Sequence, residues 1–334
     1  MSSTNLQVAC VVAFYMCAAL VMVFVNKTVM NNEPDLPLVF LLLQLVIAVV
    51  LLHVSALASK SVEIPKITLD AAKKLFPVVF VNITGLTFNL LCLRGVEATF
   101  FQIARGLVLP LTILCSWMYD PTSGVSKNVI TASAIVTGGF FLGVLPNSTI
   151  PATSTPSFIS LFYGVLSSLF IAVHAVLIKI SLPYCQNSTI QLAWWTNAGS
   201  ALLLLPVVAV TGEISVLQGK IYDSQWNGNT FLYGSLITGV FGFLLCLAGL
   251  LSIRVTSPVT HMFSSAARSV LQTIIGVAYF GDLININRAT SILVILGGTM
   301  FYTWIKSAEA KKQPPADIEA FNGAKTEREA QIKE

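Results

Sequence analysis

Acidic side chains are missing from the most apolar parts of this sequence. Glu33, Glu97, Asp120 and Asp282 fall at the ends of long hydrophobic runs or between them, and none lies well inside one. That absence excludes paired intramembrane carboxylates and weighs against a proton-coupled carrier, which needs a titratable acid along its path. Charge of either sign is scarce, at 10% of residues against 55% hydrophobic, with a mean hydropathy of +0.80. So little polar surface cannot cover a soluble fold, and the chain must meet lipid. The six cysteines keep no motif spacing and sit mostly in apolar runs, as small core residues do, so disulfides and metal ligands are not expected. HExxH, Gly-x-Ser-x-Gly and Cys/His clusters are also lacking, so we expect no enzyme, no cofactor and no metal site.

What is present is a series of hydrophobic runs, each near the roughly 20 residues that cross a bilayer. Ten are found, at about 6–26, 37–57, 74–93, 98–118, 128–145, 157–180, 191–211, 230–252, 259–280 and 288–306. The expected fold class is therefore all-α, a polytopic membrane protein with ten transmembrane helices. Residues 307–334 are rich in Lys, Glu, Ala and Pro without an apolar period and read as a disordered tail. Lysines of the loops near 60–74 and 127 and of the tail share one side with both termini, which places both termini in the cytosol. Asn147 then lies in an uncharged loop on the far side, where its Asn-Ser-Thr sequon is a glycosylation candidate.

The two halves of the chain share an ordered set of matches. LLCLR at 90–94 answers LLSIR at 250–254, and Ala104-Arg105 answers Ala267-Arg268. Asp120 answers Asp282, and Thr131 with Gly138-Gly139 answers Thr290 with Gly297-Gly298. Five helices per half is an odd number, so the second half enters the membrane from the other face. The expectation is an inverted-topology repeat, the layout of many secondary transporters, with residues 1–145 and 157–306 as its five-helix halves and 146–156 as a lumenal linker.

Arg105 and Arg268 are mates under that repeat, each well inside a helix. An arginine at a helix centre costs about 2.5–3.5 kcal/mol on insertion scales and must face a cavity or a partner. His261, Ser264, Ser265, Arg268 and Gln272 recur at spacings of three and four, which makes one polar stripe on the ninth helix. The fourth helix carries a thinner stripe, Gln102, Arg105 and Thr112. Two guanidinium groups without resident acids call for an anion, and their fork geometry suits phosphate oxygens. Lys27 and Lys179 close the first helix of each half and could add to the field, with interface anchoring as the other reading. Exchange of one anion for another needs no titratable acid.

The segments TFNLLCLRGVEATFFQIARGL, 87–107, and IRVTSPVTHMFSSAARSVLQT, 253–273, resemble those of the nucleotide-sugar transporters of the drug/metabolite transporter superfamily, above all its Golgi carriers of GDP-sugars. The resemblance spans nearly the whole membrane domain and includes Asn89 and Arg105. Arg268 stands where these carriers usually have lysine. Their Phe-Tyr-Asn-Asn motif on the seventh helix, associated with substrate recognition, is here Trp194, Trp195, Thr196 and Asn197, so only the last Asn is kept. Trp195 is either a stacking wall for a base or part of an interfacial belt. The resemblance implies a Golgi-membrane antiporter that brings a GDP-sugar, GDP-fucose before GDP-mannose, into the lumen in exchange for GMP. Triose-phosphate and phosphoenolpyruvate exchangers share VTSPVTH and are the alternative. The expected partners are the GDP-sugar, GMP and the lipid bilayer, with a homodimer left open and no nucleic acid.

Overall fold

We describe the protein from a computed structural model, over residues 3–59, 62–121, 125–145, 157–223, 226–255 and 258–312. The expected linker at 146–156, with Asn147, and most of the tail lie outside the described residues. So do the side chains of His261, Ser264 and Ser265.

Every regular element among the described residues is helical. They are α1 Ser3–Asn32, α2 Pro37–Ala58, α3 Leu69–Gly95, α4 Ala98–Gly106, α5 Val108–Tyr119, α6 Lys127–Val144, α7 Phe158–Ser181, α8 Thr189–Val210, α9 Glu213–Tyr222, α10 Asn229–Val255, α11 Pro258–Phe280 and α12 Ile286–Lys312. Eight spans among the described residues are long and apolar enough to cross a membrane, α4 and α5 forming one of them. Helices α10 and α11 run for 27 and 23 residues beside them. The chain is a polytopic membrane protein.

Local sequence explains several helix ends. Thr68, Ser126, Ser157 and Ser188 each accept a bond from a backbone N–H in the first turn of α3, α6, α7 and α8. The expected fourth span is broken at Leu107. Pro110 lacks an N–H and its ring crowds the carbonyl four residues back, at Gly106, so the helix parts there. The break is repaired from α7, where Ser168 Oγ donates to Ala104 O at 2.8 Å, as unsatisfied backbone within a bilayer requires. Helix α9 occupies a stretch between the expected seventh and eighth spans that carries no apolar run. Its Glu213 carboxylate accepts from Leu38 N and Val39 N, both at 2.9 Å, and so caps α2.

The packing pairs exchange between halves. Helix α3 lies along α7 and touches α8, while α10 lies along α1 and touches α2. Helices α2 and α8 pack on each other, and so do α6 and α12. Cores of buried apolar side chains fill the bundle, one around Phe40, Leu36 and Leu204 and another around Phe100, Ile103 and Val136.

At the end of the bundle away from the termini, charged groups are buried and satisfied. Lys27 donates to Leu93 O at 3.0 Å and Val96 O at 2.6 Å, which caps α3. Asp282 accepts from Thr99 N at 2.8 Å, which caps α4. Arg288 pairs with Glu97 and donates to Leu283 O at 2.6 Å. Lys27 is thus a buried helix cap, not an interface anchor.

Candidate functional site

Beside the break at Leu107, helices α4, α5, α7, α11 and α12 line a cavity of about 390 Å³. Arg105 enters it from α4 and Arg268 from α11, with Gln102, Thr112, Ser269 and Thr299 among its polar lining. Leu109, Ile295, Leu296 and Met300 supply the apolar wall. This size falls within the roughly 300–1,000 Å³ usual for small-molecule sites, and the mixture of apolar wall and few polar groups is also usual.

Neither arginine has an acidic partner among the described residues. The ion pairs there are Lys220 with Glu33, Arg288 with Glu97 and Lys306 with Glu309. Arg105 packs over its own neighbour Phe101, its guanidinium carbon 5.5 Å from the ring centre. Arg268 Nε is buried with no hydrogen-bond partner among the described residues, and so is Ser269 Oγ beside it. Two like charges sharing one low-dielectric chamber repel, and a bound anion is what relieves both the repulsion and the orphaned N–H.

The other expected site residues divide. Asn89 lines a second, smaller cavity together with Arg105. Gln272 belongs to the same helix as Arg268, but its amide turns away and donates to Ala98 O at 3.1 Å, fully buried. That bond ties α11 to the start of α4. Asn197 bonds within its own helix, Nδ2 to Ala193 O at 2.7 Å. Trp195 is buried edge-on to Trp194, ring centres 5.4 Å apart, in the core with Leu75 and Leu192. It lines neither of these two cavities, as a stacking wall would, and it is buried in core packing where an interfacial belt would be exposed. Lys179 is exposed near the end of α7. Its proposed counterpart Lys27 is buried, so the two do not occupy like environments.

Ser269, Thr299 and Tyr302 line the chamber without having been singled out from the sequence. Ser269 adjoins Arg268, and its spacing of four from Ser265 and three from Gln272 is the signal that could have found it. Thr299 follows Gly297-Gly298, and it stands one turn beyond Ile295 on the face of α12 that packs on α6. Its hydroxyl bonds back to Ile295 O at 2.8 Å, which hides its polarity within the helix.

Residues 6–303 match the family described as the Triose-phosphate Transporter family. A mouse protein named GDP-fucose transporter 1 is 31% identical over 92% of this chain and 85% of its own length. The Nematostella vectensis protein of the same name is 30% identical over 92% and 91%. An Arabidopsis thaliana protein named UDP-galactose/UDP-glucose transporter 7 is 26% identical over 92% and 93%. A solved crystal structure matches at a TM-score of 0.50 and 14% identity, over 87% of this chain and 98% of that one, a likeness of fold alone.

Proposed function

The chain belongs to the Triose-phosphate Transporter family, and from that premise we propose that it is a nucleotide-sugar antiporter carrying a GDP-sugar, GDP-fucose first, into the Golgi lumen in exchange for GMP. The observation that carries this reading is the single chamber into which Arg105 and Arg268 both reach, with no carboxylate to neutralise them among the described residues. The several relatives named GDP-fucose transporter, one of them named for the Golgi, favour the sugar and the organelle.

In this reading Arg268 holds phosphate from one half of the protein and Arg105 from the other. Ser269, Gln102 and Thr299 complete the bonding, with His261, Ser264 and Ser265 as further candidates by their spacing in the sequence. Gln272 acts by placing α4. The ten spans form two inverted five-helix halves, residues 1–145 and 157–306, and the exchange of packing partners between α1–α3 and α7–α10 supports that layout. With both termini cytosolic, the chamber belongs to the cytosolic half and the Lys27, Glu97, Asp282 and Arg288 cluster seals the lumenal end. Rocking of one half on the other would break the seal.

A second reading, exchange of small phosphate esters, is favoured by the description of the family itself. Proteoliposomes preloaded with GMP separate the two. The expected result is GMP-stimulated uptake of GDP-fucose above GDP-mannose, UDP-sugars and phosphorylated trioses. Preferred uptake of a triose phosphate transfers the protein to the second reading, and no uptake of either class sinks both.

A further inference from the structure

A second cavity, of about 140 Å³, lies between α3 and α7, and Arg105 and Ile171 line both it and the larger chamber. Gly85 makes it by letting the helices close up: a Cβ there would sit 3.1 Å from Phe170 Cβ. The approach brings Asn82 and Asn89 of α3 opposite His174 of α7.

Their polar atoms are not used up by the protein. His174 Nε2 is buried and has no partner among the described residues. Asn89 accepts from Ser167 Oγ at 3.4 Å through Oδ1, which leaves its Nδ2 free to donate. Asn82 donates to Ser200 Oγ at 3.1 Å through Nδ2, which leaves its Oδ1 free to accept. Buried polar atoms are ordinarily satisfied, so the orphaned His174 Nε2, with two unused amide atoms of half-buried asparagines on the same cavity and a shared cation beside it, asks for a ligand.

We infer that this small cavity is the subsite for the hydroxylated ring of a sugar nucleotide, with the nucleoside in the larger chamber and the diphosphate between them at Arg105 and Arg268. The inference rests on the transporter reading above and deepens it. Two features choose the sugar over the base. The cavity is the smaller of the two and takes the smaller end of the ligand. A hydroxyl both donates and accepts, which answers a free donor, a free acceptor and an imidazole whose role depends on its tautomer. The flat Phe170 side chain closes the wall.

The test compares purified wild type with His174→Ala, His174→Gln and Asn89→Ala, each titrated with GDP-fucose, GDP-mannose and GDP. The readout is the ratio of GDP-fucose to GDP affinity. We expect that ratio to fall about five- to tenfold in His174→Ala, the scale of one lost neutral hydrogen bond. His174→Gln should recover part of it, because the amide replaces the bond, and Asn89→Ala should lower it again. A ratio unchanged in all three variants overturns the inference, as does an equal loss for GDP-fucose and GDP, which marks a packing role. Should His174→Ala fail to fold, the glutamine and Asn89 variants decide alone. Wild type that binds GDP and GDP-fucose equally well overturns the subsite but leaves nucleotide transport standing. Wild type that binds no guanine nucleotide overturns the GDP-sugar reading itself, and the subsite with it.

Discussion

Gly139 of α6 lies so close under Ile295 of α12 that a Cβ on the glycine would stand 2.9 Å from Ile295 Cγ1 and 3.2 Å from Ile295 N. The mate of Gly139 in the sequence repeat is Gly298, and it makes the same approach in reverse, with a Cβ falling 2.6 Å from Val136 Cγ2 and 3.3 Å from Val136 N. Gly138 and Gly297, the other members of the two pairs, have nothing within 4 Å. Small residues at a crossing let membrane helices touch through their backbones. Ser291 Oγ adds a bond to Gly139 O at 2.6 Å.

Alanine at the inner and outer glycines should therefore differ in sign. Gly139→Ala and Gly298→Ala overpack a contact that includes backbone, which costs about 1–3 kcal/mol. Gly138→Ala and Gly297→Ala should be neutral or stabilising by up to about 1 kcal/mol, from helix propensity. Thermal unfolding in detergent measures all four. Equal losses at the inner and outer positions would remove the crossing from the account.

How far the sequence anticipates such detail depends on the kind of interaction. Hydrophobic runs and the paired Gly-Gly motifs are local patterns, so eight spans among the described residues and the matching positions of Arg105 and Arg268 along the sequence can be read from them. The break at Leu107 is carried by one proline in an otherwise continuous apolar run, and its repair by Ser168 is a contact 64 residues distant. Gln272 fits the polar stripe by spacing, yet its amide finds Ala98 O, because periodicity fixes a face and not a side-chain torsion. The same limit applies to Trp195, whose burial depends on α2 and α3. His174 lies in an apolar helix with no polar neighbour in sequence, and only the approach of Gly85 to Phe170 gives it Asn82 and Asn89 for company.

Arg268→Ala should reduce nucleotide exchange at least about tenfold to a hundredfold, the equivalent of one charge-assisted bond at about 1.5–3 kcal/mol. Its unfolding temperature should hold or rise, because removing one of two like charges from a chamber relieves repulsion in the empty protein. Arg268→Lys keeps the charge but loses the fork, so it should retain a measurable part of the rate. Exchange kinetics with thermal unfolding on the same preparations separates these effects. A variant that is both inactive and strongly destabilised would make Arg268 a structural residue.

Glu213 supplies a pH test outside the membrane spans. Burial pushes its carboxyl above the ordinary value of 4.5, and the bonds it accepts from Val39 N and Leu38 N only partly oppose that. A carboxyl whose folded value exceeds its unfolded value contributes most below the unfolded value and loses that contribution as pH rises through the folded one. The stability of wild type relative to Glu213→Gln should therefore decline as pH climbs from about 4.5. Unfolding temperature measured against pH for both proteins checks the sign. Parallel curves would show that the carboxyl titrates as it does in the unfolded chain.

The buried charges at the far end make the final prediction. Arg288 is 3% exposed, pairs with Glu97 and faces the ring of Phe100, while Asp282 caps α4 through Thr99 N. These contacts join the α11–α12 connection to the start of α4, and in the exchange cycle we propose they hold that end shut and break when it opens. Removing contacts made in one state alone shifts the balance toward the other by their full worth. At about 1.5–3 kcal/mol per charged bond that is roughly a tenfold to hundredfold change in population. Thr99 is fully buried in the shut arrangement and makes a suitable reporter. In a cysteine-free background carrying Thr99→Cys, Arg288→Gln should raise labelling by a membrane-impermeant maleimide by at least about tenfold. It should also weaken nucleotide binding from the chamber side, since the chamber-open state becomes the minor one. Unchanged labelling would mean that the cluster is a permanent brace, and that the seal lies elsewhere.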